Sequence, residues 1–187
     1  MSAKRANRLP PIAFIGDVHG WTERLEALLE RLPPKAHLLF LGDLIDRGPD
    51  SAGVISRVRG LCESGRASCI MGNHEYALIR GLGCDTHNVA PQPRPFSVWY
   101  SAYGGTATAS SYGVHRPDAT ALRNAMGDDL EWMARLPWYL AGQRGDRGFI
   151  AVHAGLSASP VQAQLEALDT PEDFFQPNAG LPTALYL

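Results

Sequence analysis

Cysteine is scarce in this chain: Cys62, Cys69 and Cys84 are the only three among 187 residues, an odd number with no C-x-x-C pair. That argues against a disulfide framework and a zinc ribbon, and makes a reducing, cytoplasmic compartment the expectation. Long hydrophobic runs are missing as well. After Lys4, Arg5 and Arg8 the apolar stretch is only Ile12 to Ile15, too short for a signal peptide or for a span of about 20 apolar residues, so no membrane partner is expected. Positive charge is not in excess: 17 Lys and Arg against 19 Asp and Glu leave a net charge of -2, which gives no support for binding a nucleic-acid polymer. The glycine signatures of nucleotide-binding folds also fail. No G-x-G-x-x-G opens a helix. Gly60 to Ala67 has phosphate-loop spacing, but Arg66 and Ala67 stand where Lys and Ser or Thr are needed, and the segment precedes a strand instead of following one.

What remains is an ordinary globular composition, with 45% hydrophobic and 19% charged residues and a loop-favouring 19 Gly and 14 Pro. Residues 1–10 read as a solvated tail and 11–187 as a single domain. Strand signals at Ile12–Ile15, His37–Leu41 and Ala67–Met71 alternate with helix signals, which predicts an α/β fold with parallel pairing. Thr22 and Ser51 are placed to cap the first two helices, Gly65 to close the second, and a third helix is expected over Tyr76–Arg80. The Gly- and Pro-rich stretch 81–98 disfavours a helix. A mostly helical insertion is expected over about 81–137, with strands near Trp138–Leu140 and Phe149–Val152 around a turn at Gly145-Asp146, and a last helix over Pro160–Leu168.

Chemistry-bearing residues gather just after the strands: Asp17 and His19, then Asp43, Asp46 and Arg47, then Asn73, His74 and Glu75, then His153. Ligands of open α/β sheets bind beyond the carboxyl ends of the strands. Carboxylates, an amide and imidazoles, without a cysteine cluster, suit hard or borderline divalent metals. Asp43 can bridge two ions, Asn73 can hold the second ion, Arg47 can grip a phosphate, and His74 oriented by Asp46 can protonate a leaving oxygen. His37 reads as structural, His87 and His115 as solvated. Trp99, Tyr100, Tyr103 and Tyr112 read as core, with stacking on a base as the second option.

The motifs GDVHG (16–20), GDLIDRG (42–48), GNHE (72–75) and HAGL (153–156), in this order, resemble those of the calcineurin-like metallophosphoesterases. Within that family the chain resembles the bacterial PPP-type serine/threonine phosphatase branch, which includes the symmetrical diadenosine tetraphosphatases. The resemblance implies two face-to-face mixed β-sheets flanked by helices, two divalent metal ions (manganese first, iron or zinc as options) and attack by a bridging hydroxide. It implies Asp17, His19 and Asp43 on one metal and Asp43, Asn73 and His153 on the other, Arg47 with Asn73 at the substrate phosphate, and His74 backed by Asp46 as the acid. The leading expectation is a serine/threonine phosphatase-like enzyme. The alternatives are a symmetrical dinucleoside tetraphosphate hydrolase and a catalytically weak metal-binding relative. The substrate partner is a phosphoprotein, a small phosphoester or a dinucleoside polyphosphate. Two departures stand out: Met71 precedes GNHE where many family phosphatases place Arg, and no histidine follows His153. The expectation is a member cut short at its C-terminal end, with reduced activity.

Overall fold

The structure is a computed structural model that describes residues 10–169, 175 and 184–186; the expected N-terminal tail lies almost wholly outside them. The elements run β1 (Ile12–Ile15), α1 (Thr22–Arg31), β2 (His37–Phe40), α2 (Ser51–Glu63), β3 (Ala67–Cys69), α3 (Asn73–Leu82), α4 (Pro93–Ala102), α5 (Gly105–Ser111), α6 (Ala119–Met126), α7 (Asp128–Ala134), β4 (Tyr139–Arg144), β5 (Arg147–Val152) and α8 (Val161–Leu168). The strands β1, β2 and β3 pair in that order, all parallel, with Ile15 opposite Phe40 and Phe40 opposite Cys69. Their carboxyl ends therefore share one edge. The second sheet is the antiparallel hairpin β4–β5, turning at Gly145-Asp146. Phe14 of β1 meets Phe149 of β5 edge-on at 5.7 Å. The chain thus has two sheets and flanking helices; among the described residues the first sheet is wholly parallel and the second wholly antiparallel.

Helix α3 is the centre of the molecule. Tyr76, Leu78, Ile79 and Leu82 are buried on it, packed in one core with Val54, Ile55 and Val58 of α2 and Leu130 and Met133 of α7. Several local expectations are corrected. The α2 cap is Asp50, not Ser51: Asp50 keeps a non-helical backbone and its carboxylate accepts from Gly53 N at 2.9 Å. Thr22 does not cap α1; its hydroxyl donates to Asp50 Oδ2 at 2.7 Å and pins the two helix starts together. Gly65, at φ 72°, does follow the end of α2. Residues 81–98 are not free of helix, because α3 runs on to Leu82 and Pro93 opens α4 from its first position, where a missing N–H costs nothing. His87 is not simply solvated: its ring hydrogen-bonds Ala134 O at 2.7 Å and stacks on Phe175. His37 is structural, joined to Ser68 Oγ at 2.9 Å. Among the described residues no helix is long and apolar enough to cross a membrane.

Candidate active site

The loops after β1 and β2 are built from backbone that most residues avoid. Asp17, His19, Asp43, Asp46 and Arg47 all have positive φ, between 45° and 73°. Such strain persists only where the surroundings over-determine it, and it collects at functional sites. The surroundings here are the two loops themselves. His19 N donates to Asp43 O (2.9 Å), Gly20 N to Leu44 O (2.8 Å), and Gly48 N to His19 O (3.0 Å). A Cβ on Gly48 would overlap the carbonyl of His19, and one on Gly72 would overlap the amide of Asp43, so these two contacts require glycine.

Glu75 locks the third loop onto the second. Its buried carboxylate accepts from the amides of Asp43 (2.9 Å), Leu44 (2.8 Å), Ile45 (3.3 Å) and Gly72 (3.0 Å). Burial, followed by the charge of Asp43, pushes its carboxyl up to about 7, while the amide donors pull the other way. Asp43 Oδ1 in turn accepts from His74 N at the start of α3 (3.1 Å), where the helix end favours an anion.

Around Asp43 the imidazoles are turned inward. His19 Nδ1 donates to Ile45 O (2.8 Å) and His153 Nδ1 to Leu41 O (2.7 Å). A carbonyl can only accept, so in both neutral rings the proton sits on Nδ1 and Nε2 is left bare. These Nε2 atoms lie 3.7 Å from Asp43 Oδ2 and 3.5 Å from Asp43 Oδ1 respectively. The Asn73 carboxamide sits 2.9 Å from His153 Nε2 and 3.2 Å from both Asp43 oxygens. It meets only acceptors there. Turned one way it donates its N–H groups to them; turned the other way its oxygen joins a ring of donor atoms that needs a cation at its centre. This oxygen- and nitrogen-only set fits hard or borderline divalent ions.

Side chains with ligating atoms within 4.8 Å of one another form two groups that share Asp43: His19, Asp43 and His74; and Asp17, Asp43 and His153. The structure brings together all eight side chains singled out from the sequence: Asp17, His19, Asp43, Asp46, Arg47, Asn73, His74 and His153. In the second group Asp17 stands with Asp43 and His153. Arg47 donates from Nη1 to His19 Nε2 (2.8 Å) and from Nη2 to His74 Nε2 (3.0 Å), which sets its fork at the centre of the site.

His74 Nδ1 donates to Asp46 Oδ2 at 2.7 Å, and both side chains are buried. Burial alone would lower the His74 pKa; the Asp46 hydrogen bond and the charges of Asp43 and Asp46 outweigh it and raise the pKa above its ordinary value. Two residues of the helical stretch complete this unit and were not legible beforehand as part of it. Trp99 Nε1 donates to Asp46 Oδ2 (2.8 Å), and Thr108 Oγ1 donates to Asp46 Oδ1 (2.6 Å). Trp99 is fully buried, so it is core and not a stacking surface. The available signal was general: a buried indole N–H needs a partner, but nothing in the local sequence names Asp46 as that partner.

The calcineurin-like phosphoesterase family model matches residues 10–180. The symmetrical bis(5'-nucleosyl)-tetraphosphatase of Ralstonia nicotianae is 51% identical over 148 residues, 79% of this chain and 42% of the relative. Its counterpart from Burkholderia thailandensis is 33% identical over 150 residues, again 79% and 42%. The matched stretch thus covers less than half the length of these relatives. A crystal structure of a cold-active protein tyrosine phosphatase mutant superposes with a TM-score of 0.52 at 16% identity, over 95% of this chain and 54% of that one, and shows the fold alone. By the motif order, the two-sheet fold and the match to its family model, the chain belongs to the calcineurin-like phosphoesterase family.

Proposed function

We propose that this chain carries the metal-binding core of a hydrolase that cleaves dinucleoside tetraphosphates symmetrically, into two nucleoside diphosphates. The observation that carries the hydrolase reading is the convergence of three strand-end loops and His153 on Asp43. The choice of substrate rests on the Ralstonia and Burkholderia relatives, whose names match the alternative drawn from the sequence better than the serine/threonine phosphatase first expected. Asp17, His19, Asp43, Asn73 and His153 would hold two divalent ions, with manganese the first choice. When bound, such ions polarise phosphoryl oxygens and supply a nucleophile at neutral pH.

The protein's own groups do the rest. With His19 Nε2 given to an ion, the Arg47 fork would leave the two rings it now bonds and orient the scissile phosphate. His74 keeps one proton on Nδ1 against Asp46; once the Arg47 fork turns to the phosphate, its Nε2 is free to take up a second proton and deliver it to the leaving oxygen. Asp46, held by Trp99 and Thr108, keeps the imidazolium charged and aimed. Three cysteines without a disulfide agree with a cytoplasmic setting. The test is product analysis with added manganese: diadenosine tetraphosphate should yield ADP alone, faster per unit concentration than a phosphoserine peptide yields phosphate. ATP plus AMP as products, or a clear preference for the peptide, would reverse the assignment.

A further inference from the structure

A cavity of about 420 Å³ opens between α3 and α4, bordered by Tyr76, Arg80, Arg94, Val98, Tyr103 and Tyr186. That volume lies in the range of small-molecule sites, about 300–1,000 Å³. It shares a wall with the site described above. The Tyr103 ring lies 5.0 Å from that of His74, and Tyr186 Oη is 3.4 Å from Tyr103 Oη and 3.5 Å from Asn73 O. On α3 the cavity is lined by Tyr76, Ala77 and Arg80, which fall on one face, so it runs about 6 Å along the helix. Its lining holds two arginines and no carboxylate. Arg80 rests over the Tyr76 ring, and its buried Nε has no hydrogen-bond partner among the described residues. Val98 leaves 49% of its surface exposed beside them. Two guanidinium groups in a lining without a carboxylate, beside an aromatic and aliphatic wall, suit an anion that carries a flat apolar group.

We propose that this cavity receives the half of the substrate beyond the scissile phosphorus: the base lies against Val98 and Tyr103, and phosphate or ribose oxygens face Arg80 and Arg94. The proposal rests on the dinucleoside tetraphosphate reading above. A small phosphomonoester has nothing that reaches past Tyr103 to Arg80 and Arg94, so the cavity selects by length. The experiment compares diadenosine tetraphosphate with nitrophenyl phosphate, both with manganese, on the wild-type protein, Arg94→Ala, Val98→Glu and the Arg80→Ala/Arg94→Ala pair. Arg94 and Val98 are exposed, so their variants fold even if loss of Arg80 disturbs Tyr76. Loss of charged hydrogen bonds should raise KM for the dinucleotide about 10- to 100-fold in the double variant and leave nitrophenyl phosphate turnover within about twofold. Unchanged KM for the dinucleotide, or equal losses on both substrates, would overturn the cavity's role while leaving the substrate reading intact. A wild-type protein that hydrolyses nitrophenyl phosphate but not the dinucleotide would overturn the substrate reading, and the cavity's role with it.

Discussion

Asp43 faces His19 and His74 with one carboxylate oxygen and His153 with the other, on a left-handed backbone that the Glu75 and Gly72 contacts enforce. Asp43→Asn removes an anionic oxygen that no neighbour replaces. It should lower bound manganese, read by elemental analysis, and bring turnover to background. Wild-type metal content in that variant would rule out Asp43 as the shared ligand. His74 carries a different signature. Its pKa is raised above the usual histidine value, chiefly by Asp46 against the opposing effect of burial. The acid form is therefore retained to higher pH, and activity should fall as pH rises through that shifted pKa. Asp46→Asn removes the largest raising influence and leaves burial opposed only by the charges of Asp43 and Glu75, so the alkaline limb of the kcat profile should move to lower pH. His74→Asn should cost about 10²–10⁴-fold in kcat for an alkyl phosphate and much less for good leaving groups such as nitrophenol. Arg47→Lys should restore only part of the activity lost in Arg47→Ala, because a point charge lacks the fork.

At the scale of elements, the helical stretch α4–α5 is bound to the strand-end loops through Asp46. Trp99 comes from α4 and Thr108 from α5, and both oxygens of a fully buried carboxylate depend on them. Thr108→Val keeps the shape but leaves Asp46 Oδ1 and Asp46 N each without one partner. The expected cost is about 1–3 kcal/mol, read by chemical denaturation. Kinetics should show a kcat loss with little change in KM, since the defect lies in the aim of His74 and not in phosphate binding. Trp99→Phe tests the same point from the other helix.

For the molecule as a whole, the site is a stability element in its own right. The candidate metal ligands on three loops and His153 bring like charges and bare nitrogens together, and an ion that binds only the folded state would stabilise it. At a manganese concentration about 100 times Kd the gain should be about 2.7 kcal/mol, and a chelator should remove it. Thermal melts with and without chelator check this. Asp43→Asn should flatten the difference.

The strand-end loops were legible in the sequence because their chemistry is local. Short apolar runs are followed at once by Gly-Asp, Asp-Arg-Gly and Asn-His-Glu, so parallel pairing alone brings Asp17, Asp43 and His74 to one edge. Backbone preference also travels with sequence: Asp and His tolerate the left-handed turns that the loops need. What the sequence left open depends on contacts between residues far apart in the chain. His153 joins the site 80 residues beyond Asn73. Trp99 and Thr108 find Asp46 across 53 and 62 residues, and Arg80 and Arg94 line one cavity only because α4 packs back along α3. Such contacts are set by how α4, α5 and the β4–β5 hairpin pack against the first sheet and its loops, which no local run of residues encodes.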